Sequence, residues 1–354
     1  MEVNDTCYAL VLAGGSGTRL WPRSRRATPK HLCKIVDEQC TMLELTLARL
    51  DGLVPAARRI VITKASQADT IHKAVVDTGL AGQVLVEPCG RGTLAPIALT
   101  ALHLQRLQPQ ATMFCFHADA MIEHTEELHR SMKLALTVAK LGYLVLQGAK
   151  PTRPEVGFDY LAPQQKLAGY DSVWHVNFLS CTSIDEAKKY LAAGYYWHTG
   201  IFTWQVSSFL QELQQHCPTI HRQLTSVALD SPSALASVYE KLPNISVDAG
   251  LLRKSSRCVF LPCRYGWMDI GSWQALDVVR QPDQQGNRLR GEALLLDCQN
   301  TTVDAQDTYV VAVGVKDMVV VSAGDVVLVC PKDQSQRVRE VVARLRTEGK
   351  EDMI

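Results

Sequence analysis

Residues 8–36, YALVLAGGSGTRLWPRSRRATPKHLCKIV, gather the groups best suited to handling phosphate. An apolar run, Tyr8 to Ala13, leads into Gly14-Gly15-Ser16-Gly17-Thr18-Arg19. Glycines permit tight backbone dihedrals and put no side chain in a ligand's way. Successive backbone N–H groups in such a turn can form an anion-binding nest. Arg19 and Lys30 add fixed positive charge, with Arg23, Arg25 and Arg26 between them. A polyphosphate is the natural guest; a surface turn beside an ordinary basic loop is the alternative. The glycines do not make a dinucleotide fingerprint, because Gly15-x-Gly17-x-x ends on Leu20. Nor do they make a P-loop, since no Gly-Lys-Ser/Thr follows.

Two carboxylates stand out further on. Asp119 follows the run MFCFH, and Asp269 lies in the glycine-framed loop GWMDIGSW. Each alone reads equally well as a turn carboxylate. Together they could hold one Mg²⁺, a hard cation that prefers carboxylate, water and phosphate oxygens. They are far apart in the chain, so only the fold could join them.

Such groups need elements to position them. Residues 7–13, 58–63, 84–86, 112–117 and 143–147 read as short buried strands. Helical spacing recurs at 41–51, where Thr41 and Glu44 form a capping box, and at 66–79, 94–105 and 125–139. This alternation predicts a mainly parallel α/β sheet. Ligands of such sheets collect outside the carboxyl ends of the strands, which would put Asp119 and the 14–19 loop on one edge. Residues 174–179 read as an edge or hairpin strand, and 207–243 as mainly helical with breaks at proline. Residues 245–251 and 258–261 are expected to return to the sheet. After Pro282 the chain turns to short β-rich stretches punctuated by glycine and aspartate, then a helix over 335–347. The expected division is therefore 1–282 and 283–354. The β part is too short to show a regular repeat.

The 354 residues are 47% hydrophobic and 21% charged, ordinary for a globular chain, with a net charge of +1. That balance argues against a nucleic-acid surface. No uninterrupted apolar run reaches membrane-spanning length, and MEVNDT lacks the features of a secretion signal. Eleven cysteines without C-x-x-C spacing read as reduced structural thiols of a cytoplasmic protein.

The stretch Gly14–Lys30 resembles the signature of nucleotidyltransferases that activate sugar 1-phosphates, and Leu20-Trp21-Pro22, Ser24 and Pro29-Lys30 resemble the mannose-1-phosphate guanylyltransferase branch. The similarity runs on through EPCGRGTLAPIALTAL at 87–102, FHADAMI at 116–122, YYWHTGIF at 195–202, ISVDAGL at 245–251, GWMDIGSWQAL at 266–276 and VVAVGVKDMVVV at 310–321. The resemblance implies a Rossmann-like (GT-A-like) mixed sheet with a small C-terminal left-handed β-helix domain that helps build subunit contacts, in a homo-oligomer such as a dimer. It implies transfer of GMP from GTP to mannose 1-phosphate with Mg²⁺, and no nucleic-acid or membrane partner. Gly14, Gly15, Ser16, Gly17, Thr18 and Arg19 would cradle the triphosphate, and Lys30 would reach the phosphates undergoing exchange. Asp119 and Asp269 would hold the metal. Gly90, Arg91 and Thr93 would lie near the nucleotide, and Gly157, His198 and Asp248 on the sugar side.

The sugar-phosphate part departs from the family pattern. Phe-x-Glu-Lys-Pro is replaced by Phe178-Leu179-Ser180-Cys181-Thr182, so the lysine position is Cys181. Gly92 stands where the family has asparagine, and Arg253 lies near a position that is usually glutamate. A nucleotidyltransferase for another sugar 1-phosphate, or a catalytically weak nucleotide-binding regulatory subunit, therefore remain as alternatives. Lys30, Lys254 or a nearby arginine would have to replace the missing charge.

Overall fold

A computed structural model describes residues 6–15 and 17–354; Ser16, a candidate phosphate contact, lies outside the described residues. The chain packs as two compact units. The first takes the described residues up to Gly14, Thr46–Ala118 and Ile122–Trp267. The second takes the described residues of Gly15–Leu45, Asp119–Met121 and Met268–Ile354. The units thus interleave along the sequence, whereas the division expected at 282/283 is a single cut.

The first unit is built on a nine-stranded mixed sheet. Its opening strands are β1 (Cys7–Leu12), β2 (Arg59–Lys64), β3 (Gln83–Glu87) and β4 (Thr112–His117). They pair in parallel in the order β3-β2-β1-β4. After the short β5 (Ala120–Ile122), the sheet continues with β6 (Leu144–Ala149), β7 (Tyr160–Lys166), β8 (Trp174–Leu179), β9 (Tyr196–Gln205) and β10 (Cys258–Cys263). The full order is β3-β2-β1-β4-β9-β6-β10-β8-β7, with β9 antiparallel to both β4 and β6. Strands β1, β2 and β4 are buried along most of their length, which is why they read as continuous apolar runs, whereas β3 at the sheet edge is mostly half-buried.

Helix α1 (Met42–Ala48) is opened by the expected capping box: Thr41 N donates to Glu44 Oε2 at 2.6 Å and Glu44 N to Thr41 Oγ1 at 3.2 Å. Helices α2 (Ala68–Val75) and α3 (Leu94–Leu107) follow, and α3 is buried on most of its surface within the main core beside Leu10, Ile60, Met113 and Trp204. Then come α4 (Thr125–Ala139), α5 (Ile184–Ala192), α6 (Val206–His216), α7 (Pro218–Thr225) and α8 (Pro232–Tyr239), the last two starting on prolines. Of these helices, α3, α4, α6, α7 and α8 pack on the sheet. Residues 245–251 do not rejoin the sheet as expected. They form a turn and a π-helical stretch, Asp248–Leu252.

The second unit contains β11 (Trp267–Asp269) from Met268 onward, α9 (Leu276–Val279) and a stack of parallel rungs. Strands β12 (Arg288–Arg290), β14 (Thr302–Ala305) and β16 (Met318–Ala323) stack on one face; β13 (Ala293–Leu296) and β15 (Val310–Val313) stack on another. Strand β17 (Val326–Pro331) runs antiparallel to β16 and leads to α10 (Val338–Thr347). Left-handed corners repeat from rung to rung, Asp297 with Gly314 and Asn300 with Asp317. The side chains of Asn300 and Asp317 meet at 2.6 Å. A repeat is therefore present, in backbone corners rather than in side-chain type. The core of this unit joins Leu20, Trp21 and Ile35 to Trp273, Val319, Leu328 and Val342. The Trp273 indole donates to the Trp21 carbonyl at 2.9 Å, and the Trp21 indole to Met353 O at 2.6 Å.

Candidate functional site

In the first unit, Leu12 of β1 is in register with His117 of β4, and Lys64 of β2 with Glu87 of β3. Gly14 and Ala118 therefore leave the sheet at the same edge, and Ala118 N donates to Leu12 O at 3.1 Å. Gly14 is held against Glu87: a Cβ there would stand 2.9 Å from Glu87 Oε1. Glu87 is buried and accepts from the Tyr239 hydroxyl at 3.2 Å. Burial pushes its carboxyl up to about 7, against the opposing pulls of Tyr239 and Lys64. Lys64 runs along Gly90, where a Cβ would stand 2.8 Å from its Cε. Lys64 and Glu87 lie against Gly14 and Gly90, and the sequence reading did not single them out. Both end strands of the parallel sheet, which is the signal that could have found them.

The 90–93 loop is tied to the chain around 239–247. The Arg91 guanidinium donates to the carbonyls of Tyr239, at 3.0 Å, and Glu240. Thr93 Oγ1 accepts from Val247 N at 2.9 Å. Gly92 has φ +71°, and a Cβ there would lie 2.2 Å from Ile245 O. Glycine is thus required at a position that looked like a lost asparagine.

Further along this unit, the His198 side chain is 7% exposed and Asp248 opens the π-helical stretch. His198 Nε2 and Asp248 Oδ1 lie 3.3 Å apart without hydrogen-bond alignment. Burial pulls the His198 pKa down, opposed by Asp248 and Asp159, which favours the neutral imidazole. Beside them, Arg253 Nη2 lies 2.6 Å from Asp159 Oδ2 and donates to Ser180 Oγ at 2.9 Å. Its guanidinium stands 5.6 Å from the Phe178 ring centre. Arg253, Asp159 and Ser180 belong to this cluster although sequence reading did not place them together. Cys181 is buried and its thiol donates to Ser183 O at 3.4 Å. Gly157 is exposed, its N–H donating to Glu155 Oε1 at 3.1 Å.

The second unit holds the other candidates. Gly15 is exposed, with open space where a Cβ would be. Gly17 takes φ +61° and starts the 3₁₀ turn Thr18–Leu20. A Cβ on Gly17 would stand 2.4 Å from Lys30 Cβ and 2.5 Å from Ser24 Oγ, so its lack of side chain lets the turn close on Lys30. Lys30, its side chain 8% exposed, places Nζ 3.0 Å from Asp119 Oδ2. Ile270 N donates to Asp119 O at 3.3 Å, which brings the Asp119 and Asp269 backbones together. A Cβ at Gly271 would stand 2.2 Å from Asp269 Oδ2 and 3.2 Å from Arg19 Nη2. Arg19, Lys30, Asp119 and Asp269 therefore gather in one unit, and Gly271 leaves room for the Asp269 carboxylate. Arg19 also donates to Gln336 Oε1 at 3.1 Å.

The other arginines of the basic loop serve differently than their composition implied. Arg25 donates to Asp325 at 2.6 Å and to Ala323 O at 3.0 Å. Arg23 Nε lies 3.6 Å from the buried Asp304 carboxylate. Both fasten the loop to the stacked rungs.

The donor set suits Mg²⁺ in kind. Asp119 and Asp269 offer hard carboxylate oxygens, and the Asp119 side chain is 37% exposed, so waters and phosphate oxygens could complete the shell. Among the described residues no group of three or more His, Cys, Asp or Glu side chains gathers as a closed metal site.

Comparison with known proteins shows the family to which the chain belongs. Residues 8–285 match the nucleotidyl transferase family, and residues 291–345 match the mannose-phosphate isomerase/GMP-like β-helix domain. The chain is 31% identical over 362 residues to mannose-1-phosphate guanylyltransferase 2 of Escherichia coli O157:H7, covering 98% of this chain and 75% of the relative. It is 32% identical over 348 residues to a mannose-1-phosphate guanylyltransferase of Klebsiella pneumoniae, covering 95% and 73%. Among solved structures, one described as a mannose-1-phosphate geranyltransferase from Thermus thermophilus superposes with a TM-score of 0.87 at 33% identity, covering 96% of this chain and 99% of the other.

Proposed function

The chain belongs to the nucleotidyl transferase family, and we propose that it transfers GMP from GTP to mannose 1-phosphate, releasing pyrophosphate and GDP-mannose. The observation that carries this reading is the meeting of Arg19, Lys30, Asp119 and Asp269 in one unit, two fixed cations with two hard carboxylates.

The roles follow from charge and position. The phosphate oxygen of the sugar 1-phosphate attacks the α-phosphorus of GTP in line, and pyrophosphate leaves. That nucleophile is anionic near neutral pH, so no side chain need act as a strong base. Gly15, Gly17, Thr18 and Arg19 receive the triphosphate through backbone N–H groups and one guanidinium. Lys30 offsets charge on the phosphates being exchanged, and its burial keeps the ammonium in a fixed place. Asp119 and Asp269 are the residues that would hold Mg²⁺, which when bound supplies charge neutralisation and orientation of phosphate oxygens. Gly14 and Gly90 let Glu87 and Lys64 pack against the loops that would meet the nucleotide. Gly157, His198 and Asp248, with Asp159, meet the sugar hydroxyls, and Arg253 is the fixed cation of that cluster, where Cys181 has none.

The proposal includes a catalytic stretch 1–282, a left-handed β-helix over 283–354, a cytoplasmic location and a homo-oligomer. No helix among the described residues is long and apolar enough to cross a membrane. Self-association is supported by an exposed apolar face on the rungs, where Leu294 pairs with Val311 and Leu296 with Val313. Sedimentation of the wild type against Leu296→Lys/Val313→Lys tests it: a shift to the monomer supports this face, an unchanged mass refutes it.

Cys181 favours a second reading, a related sugar 1-phosphate as acceptor. Pyrophosphate release with GTP and Mg²⁺ across mannose, glucose and galactose 1-phosphates decides between them. Highest kcat/KM with mannose 1-phosphate supports the first reading, and preference for another sugar the second.

A further inference from the structure

The second unit contains a cleft of about 500 Å³ apart from Arg19, Lys30, Asp119 and Asp269. Its wall comes from the basic loop (Arg23, Thr28, Lys34) and from the rungs (Arg290, Gln306). That volume lies within the range of small-ligand sites.

Behind the wall, guanidinium groups outnumber carboxylates. Asp304, its side chain 1% exposed, lies 3.6 Å from Arg23 Nε and is also bonded by Arg280 Nη2. The side chains of Arg23 and Arg280 are 8% and 10% exposed, and Arg280 Nη1 has no hydrogen-bond partner. Arg290 joins the same field. Burial pulls its pKa down, Asp304 raises it, and the like charges of Arg23 and Arg280 pull it down again. One buried carboxylate thus meets two guanidiniums, and Arg290 feels its charge together with that of Glu38. Arg23 and Arg290 converge on the Lys34 carbonyl as well as facing the cleft. Two exposed carboxylates, Glu38 and Asp307, share the wall. The cleft therefore suits a ligand that brings an anion to the arginines and hydroxyl donors to the carboxylates.

We propose that this cleft binds a small phosphate monoester carrying hydroxyl groups, as an effector site distinct from the reacting groups. The phosphate sits against Arg23 and Arg290, whose planar forks suit its oxygens. Occupancy spans the basic loop and the rungs. That loop also carries Lys30, whose carbonyl accepts from Cys33 N at 3.0 Å, so the ligand would stiffen the segment that positions the Lys30 ammonium.

The test is thermal melting and calorimetric titration of the full chain with glucose 6-phosphate, and with glucose alone as control. Wild type and Lys30→Ala should both show saturable stabilisation by glucose 6-phosphate and none by glucose. Arg290→Gln and Lys34→Glu should weaken binding about tenfold or more while melting normally without ligand. Lys34→Glu guards against misfolding of the Arg290 variant, because its side chain is exposed. Three results overturn the proposal: no saturable response in wild type, a response lost in Lys30→Ala, or a response unchanged in both cleft variants.

Discussion

Lys30 Nζ stands 3.0 Å from Asp119 Oδ2, with the lysine side chain 8% exposed and the carboxylate 37% exposed. The pair joins the basic loop to the turn that carries Asp119. Burial of the ammonium is tolerable because the carboxylate answers it, and the carboxylate remains open enough to serve a cation. Asp119→Ala and Lys30→Ala should each lower pyrophosphate release about a hundredfold, near 3 kcal/mol of transition-state stabilisation. Because they act together, the double variant should lose little more than either single one. Steady-state rates of the four proteins check this, and strict additivity would show that the residues work separately.

Gly271 makes a finer prediction. An added methyl would stand 2.2 Å from Asp269 Oδ2 and 3.2 Å from Arg19 Nη2. Both atoms belong to side chains that can move, so Gly271→Ala should melt close to wild type. Its rate should nonetheless fall tenfold or more, and the Mg²⁺ concentration for half-maximal rate should rise. An unchanged Mg²⁺ titration would remove Asp269 from the metal role.

Glu87 predicts a pH dependence of stability. Its carboxyl is raised from 4.5 to about 7, chiefly by burial. The folded state therefore holds a proton that the unfolded state releases earlier. This contribution is fully present below about pH 4.5 and is lost as pH rises through about 7, on the order of 3 kcal/mol in all. Glu87→Gln keeps an acceptor for the Tyr239 hydroxyl and cannot ionise. Denaturant titrations should show wild type losing stability from pH 5 to 8 relative to Glu87→Gln. Parallel curves would contradict the assignment.

Arg253 is expected to replace the charge missing at Cys181. Arg253→Ala should raise KM for mannose 1-phosphate about tenfold with KM for GTP within twofold, since the guanidinium is fixed by Asp159 and Ser180 on the sugar side. Equal effects on both substrates would mean that Arg253 only braces the fold.

Much of this was legible in the sequence because the signals were local. The buried strands, the Thr41–Glu44 capping box and the break between α6 and α7 at Pro218 follow from neighbouring residues. So did the pairing of Gly17 with Lys30, as a motif, though not its reason: contact between the two α-carbon regions. What escaped depends on distant partners. Residues 245–251 looked like a strand, but Ile245 O is pressed on Gly92 and Val247 N is taken by Thr93. Arg23 and Arg25 looked like ligands of the triphosphate, yet the carboxylates they meet, Asp304 and Asp325, come from the far end of the chain. The rung repeat was hidden because its corners accept Asp, Asn or Gly alike in the left-handed conformation.

The most direct measurement is pyrophosphate release by the purified protein with Mg²⁺ and GTP, with and without mannose 1-phosphate. The account predicts release that requires both substrates and falls about a hundredfold in Asp119→Ala. No release with mannose 1-phosphate, from protein that still binds GTP, would contradict it.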